Sequence, residues 1–360
     1  MAKKNYKVIG VMSGTSLDGI DLALVEIVIE TTTKQDQNPK YTASILQAET
    51  ITYSSSWRDK LANAHTLSTQ RLSELDQAYT QLLAKVIGDF IKKHDLQTID
   101  AVCSHGHTIL HQPDKGYTLQ IGNLPELAQS LGMLVVCDFR TQDVALGGQG
   151  APLVPIGDQL LFGAYDYCIN LGGFANISMS KKGQRIAYDI APVNVVLNKY
   201  ALALGKAYDD KGAFAKAGTL STALLEQLNA LTYYSQPAPK SLGIEWVHQH
   251  IFPILDKTRL APKDILATFT EHIAIQIAGQ CDSGSRVLMT GGGTYNTYLL
   301  ERVKAYKKLI LEVPSDILIS FKEALVFGFL GVLRLEDRVN CLASVTGAQR
   351  DHSSGEIYHP

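Results

Sequence analysis

No strong charge of either sign runs through this sequence. Its 33 lysines and arginines stand against 35 aspartates and glutamates, a net charge of −2. That balance gives no electrostatic case for nucleic acid or for an anionic membrane surface. Cysteine is sparse and unpatterned: Cys103, Cys137, Cys168, Cys281 and Cys341 are odd in number and form no C-x-x-C. They read as reduced core residues of a cytosolic protein, not as a disulfide framework. The longest apolar run, Ala324 to Leu333, is too short to span a bilayer. The opening M-A-K-K-N-Y leads straight into apolar residues, which reads as no signal peptide and a cytoplasmic location. There is no G-x-x-x-x-G-K-[ST] phosphate loop and no G-x-G-x-x-G dinucleotide fingerprint. What remains is 46% hydrophobic and 19% charged over 360 residues, an ordinary globular composition with the length of about two domains.

The most informative stretch is Val8 to Val28. Two apolar runs, read as strands, flank a turn made of Ser13, Gly14, Thr15, Ser16, Leu17, Asp18 and Gly19, with Ile20 and Asp21 opening the second strand. Glycine lets a backbone approach a ligand, and successive inward N–H groups form a nest suited to phosphate. A plain hairpin turn would use the same residue types. Asp18 separates the two readings, because a carboxylate beside a phosphate nest suits a bridging Mg²⁺. A strand–glycine turn–strand clasp points toward ATPases of the actin and sugar-kinase type.

Further along, Thr31 to Lys40 reads as an exposed turn and Tyr41 to Tyr53 as a third strand. Apolar residues from Leu72 to Ile91 follow helical spacing, ending at Lys92 and Lys93. Ile99 to Ser104 reads as a buried strand with His105-Gly106-His107 at its C-terminal end, where α/β sheets gather ligands. Short strands at Thr118–Ile121 and Leu134–Cys137 enclose a helix at Pro125–Leu131. The run Gly147 to Pro155 is a natural hinge, and the domain boundary is placed there, giving lobes 1–150 and 151–360. Tyr167–Leu171, Gly172-Gly173 and Ala175–Met179 then echo the first hairpin, so two phosphate clasps are expected to face each other across a cleft. Arg185–Asp189 is a strand, Asp189 to Pro192 a breaker, and Val193–Leu204 a helix. Thr270–Cys281 reads as an amphipathic helix. A strand at Arg286–Met289, a turn at Gly291-Gly292-Gly293 and a helix from Thr297 suit close approach of a nucleotide. The last helix is placed at Phe321–Arg334.

Several residues carry two readings. Asp189 is either a general base or the N-cap of the following helix. His105, His107 and His111 have a spacing zinc could use, but hydrogen bonding to a polar ligand or loop fits them better. Asp138 and Arg140 could form a pair on one strand face, or could hold sugar hydroxyls and a carboxylate. Gly147 to Pro155 is either a linker or the wall of a site.

The motifs V-M-S-G-T-S-L-D-G-I-D, D-F-R-x-x-D-V-A-L-G-G-Q-G-A-P-L-V-P, N-L-G-G-F-A-N-I-S and Q-P-A-P-K-S occur in that order. The triple glycine with Asn296 and the closing S-V-T-G-A follow them. Together they closely resemble the anhydro-N-acetylmuramic acid kinase family over nearly the whole chain. The resemblance implies a two-lobed α/β fold of the actin/hexokinase-like, ribonuclease H-like kind with a central ligand cleft. It implies ATP with Mg²⁺ as cofactors, the phosphates on Ser13 to Asp21 and on Gly172-Gly173, and Asp18 toward the metal. The adenosine would lie against Gly291 to Gly293 and Asn296. The sugar would bind His105, Asp138, Arg140, Gln149, Gly150 and Asn194. The residue matching Asp189 is the family's general base. The chain departs from the family's D-T-G-P-x-N with Asp189-Ile190-Ala191-Pro192-Val193-Asn194, and from K-S-T-G with Lys240-Ser241-Leu242-Gly243. His107 replaces a usual Gln.

The implied reaction is water-driven opening of the 1,6-anhydro ring with phosphorylation of O6, giving N-acetylmuramate 6-phosphate and ADP in peptidoglycan recycling. The expected partners are ATP and the sugar, with no nucleic acid or membrane; a homodimer is compatible with the reading. Two alternatives stay open: a kinase for the free 6-hydroxyl of another amino sugar, and a non-enzymatic actin-like nucleotide switch. The sugar loop at Asp138–Pro155 argues against the switch.

Overall fold

The structure is a computed structural model that describes residues 2–14, 16–31 and 39–360. Among them the strands, in chain order, are β1 Ala2–Ser13, β2 Gly19–Thr31, β3 Lys40–Thr52, β4 Ala101–Gln112, β5 Tyr117–Ile121 and β6 Val135–Cys137. β7 Tyr167–Leu171, β8 Phe174–Lys181, β9 Gln184–Pro192, β10 Arg286–Thr290, β11 Ile310–Glu312 and β12 Glu356–Tyr358 follow. The turn expected at Thr31–Lys40 falls mainly outside the described residues, as does Thr15.

The chain divides into two compact units, Met1–Leu161 with Phe321–Pro360, and Phe162–Ser320. This differs from the expected lobes 1–150 and 151–360. The glycine–proline run is not the junction. The Asp143 carboxylate accepts the Gly150 N–H at 2.7 Å and the Thr346 carbonyl accepts the Gln149 N–H at 2.8 Å, which holds the run inside the first unit.

In the first unit the sheet order is β12-β6-β4-β1-β2-β3, with β5 hairpinned onto β4. β1, β2 and β3 form an antiparallel meander, and β4 and β6 add in parallel on the other side of β1. In the second unit the order is β11-β10-β7-β8-β9, again an antiparallel meander followed by two parallel strands. The β1/β2 and β7/β8 hairpins thus hold the same place in their sheets. The echo noted between Val8–Val28 and Tyr167–Met179 is a duplicated ribonuclease H-like sheet. This is the α/β plan of an actin/hexokinase-like ATPase.

Each unit has its own core. In the first, the helix Thr69–Lys93 buries Leu72, Leu75, Tyr79, Leu83, Val86, Ile87 and Phe90, and these pack with Ile9, Val11, Ile20, Leu22 and Val102 of the sheet. Each fully buried large apolar side chain contributes about 1.5–3 kcal/mol. In the second unit the helix Pro262–Gln280 is buried almost continuously from Ile265 to Ala278. The amphipathic reading is therefore corrected: a helix apolar on most faces is a core helix. Two strand boundaries also differ. β4 runs on through His105 and His107 because Gly106, at φ 74, makes a bulge, and a Cβ there would lie 2.6 Å from the Ile121 carbonyl oxygen. β9 runs through Asp189 to Pro192, where a breaker was expected.

The helix Asp316–Leu335, kinked at Phe321, comes down on β1 and β4 at glycines. A Cβ on Gly10 would lie 1.9 Å from the Ala324 carbonyl oxygen, and one on Gly331 would lie 2.1 Å from Cys103 Sγ. At Gly10 backbone rests on backbone, and no flexible side chain is available to move aside; at Gly331 the neighbour is the Cys103 side chain. Gly10→Ala should therefore cost about 3 kcal/mol or more, the upper end for overpacking. Gly88→Ala, in the helix Thr69–Lys93 with open space around its position, should stabilise by about 0.5–1 kcal/mol. Urea unfolding of the two variants tests the contrast, and equal midpoints would show that the close approach is absent.

Candidate active site

In the first unit a turn joins β1 and β2. The Leu17 N–H donates to the Gly14 carbonyl at 3.3 Å, and Leu17 adopts φ 60, a left-handed conformation uncommon outside glycine. A Cβ on Gly19 would lie 2.5 Å from the Ile51 carbonyl oxygen, so β3 packs against the turn's exit. Ser16 and Asp18 are exposed. Ile20 is a core side chain, 1% exposed, so it can offer a ligand only its backbone. Asp21 accepts from Thr50 Oγ1 at 2.6 Å. Burial raises its carboxyl above the usual range, and the Asp18 charge adds to that. A buried carboxylate with a second one beside it fits a site for a small hard cation.

Beneath the turn lies a polar network within the core. Ser13 Oγ sits 2.7 Å from His107 Nδ1 and 2.6 Å from Tyr53 OH, which in turn lies 2.5 Å from Tyr79 OH. Burial pushes the His107 imidazole down to about 4, so it is neutral at neutral pH. His105 is tied differently. Its Nδ1–H donates to the Gly106 carbonyl at 2.9 Å, and its Nε2 accepts from Arg140 Nε at 2.9 Å. Burial, with the Arg140 charge second, holds this imidazole well below its usual range. Both nitrogens are engaged, and a cation donates to one, so His105 is not a metal ligand here. His111 Nδ1 lies 3.0 Å from Thr118 Oγ1. The H-x-H-x-x-x-H strand serves hydrogen bonding.

Arg140 also donates from Nη1 to the Gly150 carbonyl at 2.5 Å, so one guanidinium joins β4 to the Gly147–Gly150 loop. The structure brings His105, Arg140, Gln149 and Gly150 into one neighbourhood. Asp138 and Arg140 do not form the expected pair on a strand face. The strand ends at Cys137, Asp138 turns at φ 55, and its carboxylate accepts from Thr141 Oγ1 at 2.6 Å.

In the second unit the two glycine turns meet. A Cβ on Gly291, at φ 82, would lie 2.6 Å from Asn170 Oδ1, and one on Gly293 would lie 2.7 Å from Leu171 Cβ. Gly292 faces open space. Gly172 and Gly173 accept the N–H groups of Asn194 and Val193 at 3.4 and 2.8 Å, so this hairpin also anchors the start of the helix Asn194–Leu202. Asn296 is a helix N-cap: its Oδ1 accepts the Leu299 N–H at 2.9 Å. That oxygen is occupied structurally by the cap.

Asp189 does not cap a helix; the cap position is Val193, and no side chain caps there. The carboxylate accepts the Leu242 N–H at 2.8 Å through Oδ2. Among the described residues Oδ1 has no hydrogen-bond partner. Burial raises this carboxyl above the usual range, opposed by the Leu242 bond. Tyr233 OH donates to the Asp189 carbonyl at 2.6 Å, and Lys240 Nζ donates to the Tyr233 carbonyl at 3.1 Å. Beside them is a cleft of about 430 Å³ lined by Tyr233, Gln236, Lys240, Ser241, Trp246 and His250.

The model of the anhydro-N-acetylmuramic acid kinase family matches residues 6–360. The chain belongs to that family. It is 35% identical to the anhydro-N-acetylmuramic acid kinase of Saccharophagus degradans, over 98% of each chain. It is 36% identical to that of Pasteurella multocida, over 97% of this chain and 96% of the relative. The departures from the family's motifs can now be placed. Ile190 and Ala191 are core residues of β9, 2% and 0% exposed. Leu242 meets Asp189 through its backbone N–H, so the missing threonine hydroxyl does not remove that bond.

Sequence reasoning missed Glu323 and Asp143. Glu323 is exposed, yet the protein crowded around it raises its carboxyl, with Lys322 and Arg140 opposing and Asp21 reinforcing. The available signal was a Lys-Glu pair opening an otherwise apolar helix. Arg140→Lys would keep the charge but lose the fork that reaches both His105 and Gly150. It should cost about 1–3 kcal/mol through the unpaired buried imidazole and carbonyl. Unchanged urea stability would show that the guanidinium does not bridge the two in solution.

Proposed function

We propose that this chain uses ATP to open the anhydro ring of 1,6-anhydro-N-acetylmuramic acid with water and to phosphorylate O6, with Asp189 as general base. The observation that carries the mechanism is the Asp189 carboxylate: one oxygen is fixed by a backbone N–H, the other lacks a partner among the described residues, and burial raises its proton affinity. That is what a base needs in order to be held in place and still take a proton.

In an anhydro sugar O6 carries no proton, because it is bonded to C1. Water attacks C1 and gives a proton to Asp189, and the C1–O6 bond breaks. The electron pair left on O6 forms the bond to the γ-phosphorus of ATP, and ADP leaves. The group that departs in one half of the reaction attacks in the other, so one base serves both. Asp189 is expected to supply about 10²- to 10⁴-fold, and positioning and charge stabilisation the rest.

For the sugar we assign His105, Asp138, Arg140, Gln149, Gly150 and Asn194. The Arg140 guanidinium, positioned by the neutral His105, offers recognition of a lactyl carboxylate group. For the phosphates we assign the backbone of Ser13 to Gly19 and the Gly172-Gly173 turn, and for the adenosine Gly291 to Gly293. Asp18, with Asp21 behind it, would hold Mg²⁺, which offsets phosphate charge when bound. No helix among the described residues is long and apolar enough to cross a membrane. A cytoplasmic location and ATP and the sugar as the only small-molecule partners agree with this reading.

The decisive experiment is turnover in ¹⁸O-water with mass analysis of the sugar. One labelled oxygen at C1 together with phosphate on O6 is expected. Turnover of free N-acetylmuramic acid alone, with no label, would instead support an ordinary kinase for a 6-hydroxyl. Asp189→Asn should lower kcat by at least about 10²-fold while ATP affinity is kept. In the parent, kcat/KM should fall as pH drops through the raised Asp189 pKa, because the base works only when deprotonated. Loss of ATP binding in the variant would make Asp189 a structural residue. Asp18→Ala should weaken the Mg²⁺ dependence of nucleotide binding, and an unchanged dependence would remove Asp18 from the site.

A further inference from the structure

Asp143, Cys341 and His352 lie apart from the residues assigned to catalysis, and all are buried, at 0%, 1% and 6% exposure. Cys341 and His352 face each other across an isolated antiparallel bridge, each N–H donating to the other's carbonyl at 3.1 and 3.2 Å. That pairing sets their side chains next to each other before any ligand arrives. Asp143, from the helix Thr141–Ala145, closes the group. Its Oδ1 is 3.0 Å from Cys341 Sγ and 3.6 Å from His352 Nε2. One donor atom from each residue lies within 4.8 Å of the other two.

The imidazole shows that something is missing from a purely hydrogen-bonded account. His352 Nδ1 is 3.1 Å from the Arg350 carbonyl, a distance at which Nδ1 carries the proton. Nε2 then presents a lone pair, buried and with no hydrogen-bond partner, toward a carboxylate. A buried acceptor facing another acceptor is unfavourable. A cation between them removes the conflict. The arrangement, with one ring nitrogen donating to a backbone carbonyl and the other directed at a carboxylate and a thiol, is that of a metal-binding histidine. Thiolate, imidazole and carboxylate together select zinc among the common divalent ions. A tetrahedral zinc would set N···O near about 3.3 Å and S···O near about 3.5 Å; the observed 3.6 and 3.0 Å differ from these by about 0.3 and about 0.5 Å, shifts that side-chain rotation can supply.

We propose that Asp143, Cys341 and His352 bind one Zn²⁺ as a structural site, with water or the Thr346 hydroxyl, which lies 2.7 Å from Asp143 Oδ1, in the fourth position. Binding replaces the thiol proton of Cys341, which is released to solvent, and leaves Asp143 Oδ2 on the Gly150 N–H. The ion would therefore brace the Gly147–Gly150 loop against the C-terminal bridge. Its role is to hold that loop, and it takes no part in the reaction.

The test uses the full chain, stripped with a chelator and titrated with Zn²⁺ against a chromophoric competitor, and separately with Co²⁺. One equivalent of zinc, a cobalt–thiolate absorption band and a melting temperature raised by zinc are expected. Cys341→Ser and His352→Gln should each weaken zinc binding by more than about a hundredfold, beyond the loss expected for an outer-shell partner. Cys281→Ser, outside the cluster, should not. The parent chain alone decides the matter if the variants fail to fold: no thiolate band with Co²⁺ overturns the proposal. So does zinc binding that persists in both variants, which would place the metal on surface histidines. A protonated His352 paired with Asp143 in the zinc-treated chain, seen by nuclear magnetic resonance, also overturns it.

Discussion

The architecture depends on a few glycines whose missing side chains let neighbouring elements come close. Gly10 sits where a Cβ would meet the Ala324 carbonyl, and Gly331 where one would meet Cys103. These contacts let the helix Asp316–Leu335 lie directly on β1 and β4. β1 delivers Ser13 and the glycine turn; β4 delivers His105 and His107. A side chain at either glycine would lift the helix from the strands that carry the site. The second unit repeats the device on a smaller scale, with Gly291 and Gly293 against Asn170 and Leu171. Close approach thus shapes both glycine hairpins from beneath, and the residue type is dictated by space more than by flexibility.

A polar site set on such a tight base must satisfy its buried groups internally. Neutral groups do most of this. Ser13, Tyr53, Tyr79 and His107 form a hydroxyl–imidazole chain with no net charge, and burial keeps His107 neutral. His105 stays neutral against Arg140, accepting from the guanidinium in place of competing with it. The charges that remain are met by opposite charge or by backbone. Lys322 meets Asp158 at 2.7 Å in the interior, and Asp189 meets a single N–H. A buried pair of this kind adds little net stability but makes removal of one partner costly. The first unit therefore gains a fixed arrangement of donors and acceptors, which recognition of a sugar requires.

Much of the fold was legible because periodicity and glycine placement act locally. The Thr69–Lys93 helix, both hairpins and the strand before Gly291 follow from apolar spacing and turn residues alone. What was not legible depended on contacts distant in sequence. The Gly147–Pro155 run has the composition of a hinge, and its bond to the sequence-distant Thr346, with those to Asp143 and Arg140, holds it within the first unit. Asp189 has the local context of a cap, and only the position of Leu242 shows it fixed as a carboxylate within a strand. Glu323 was hidden for the same reason, since neither Asp21 nor Arg140 is near it in sequence. The family motifs supplied the candidate residues, but their partners were visible only in three dimensions.

The departures from the family's motifs bear on how much of the chemistry survives in this chain. A threonine and a glycine are replaced by Ile190 and Ala191, and both replacements are apolar residues in the core of β9. They lie in β9 at a register shift that leaves Ile190 unpaired, and Asp189 sits opposite Asn176. The second departure, Leu242, falls on the residue whose N–H holds the carboxylate, and a backbone donor is indifferent to the side chain attached to it. The substitutions thus alter packing around the proposed base without changing what fixes it. A change of substrate would need altered groups at the proposed sugar site, and His105, Arg140 and Gly150 are joined by a connected set of hydrogen bonds. The modified strand is therefore compatible with the family's reaction and does not require a new one.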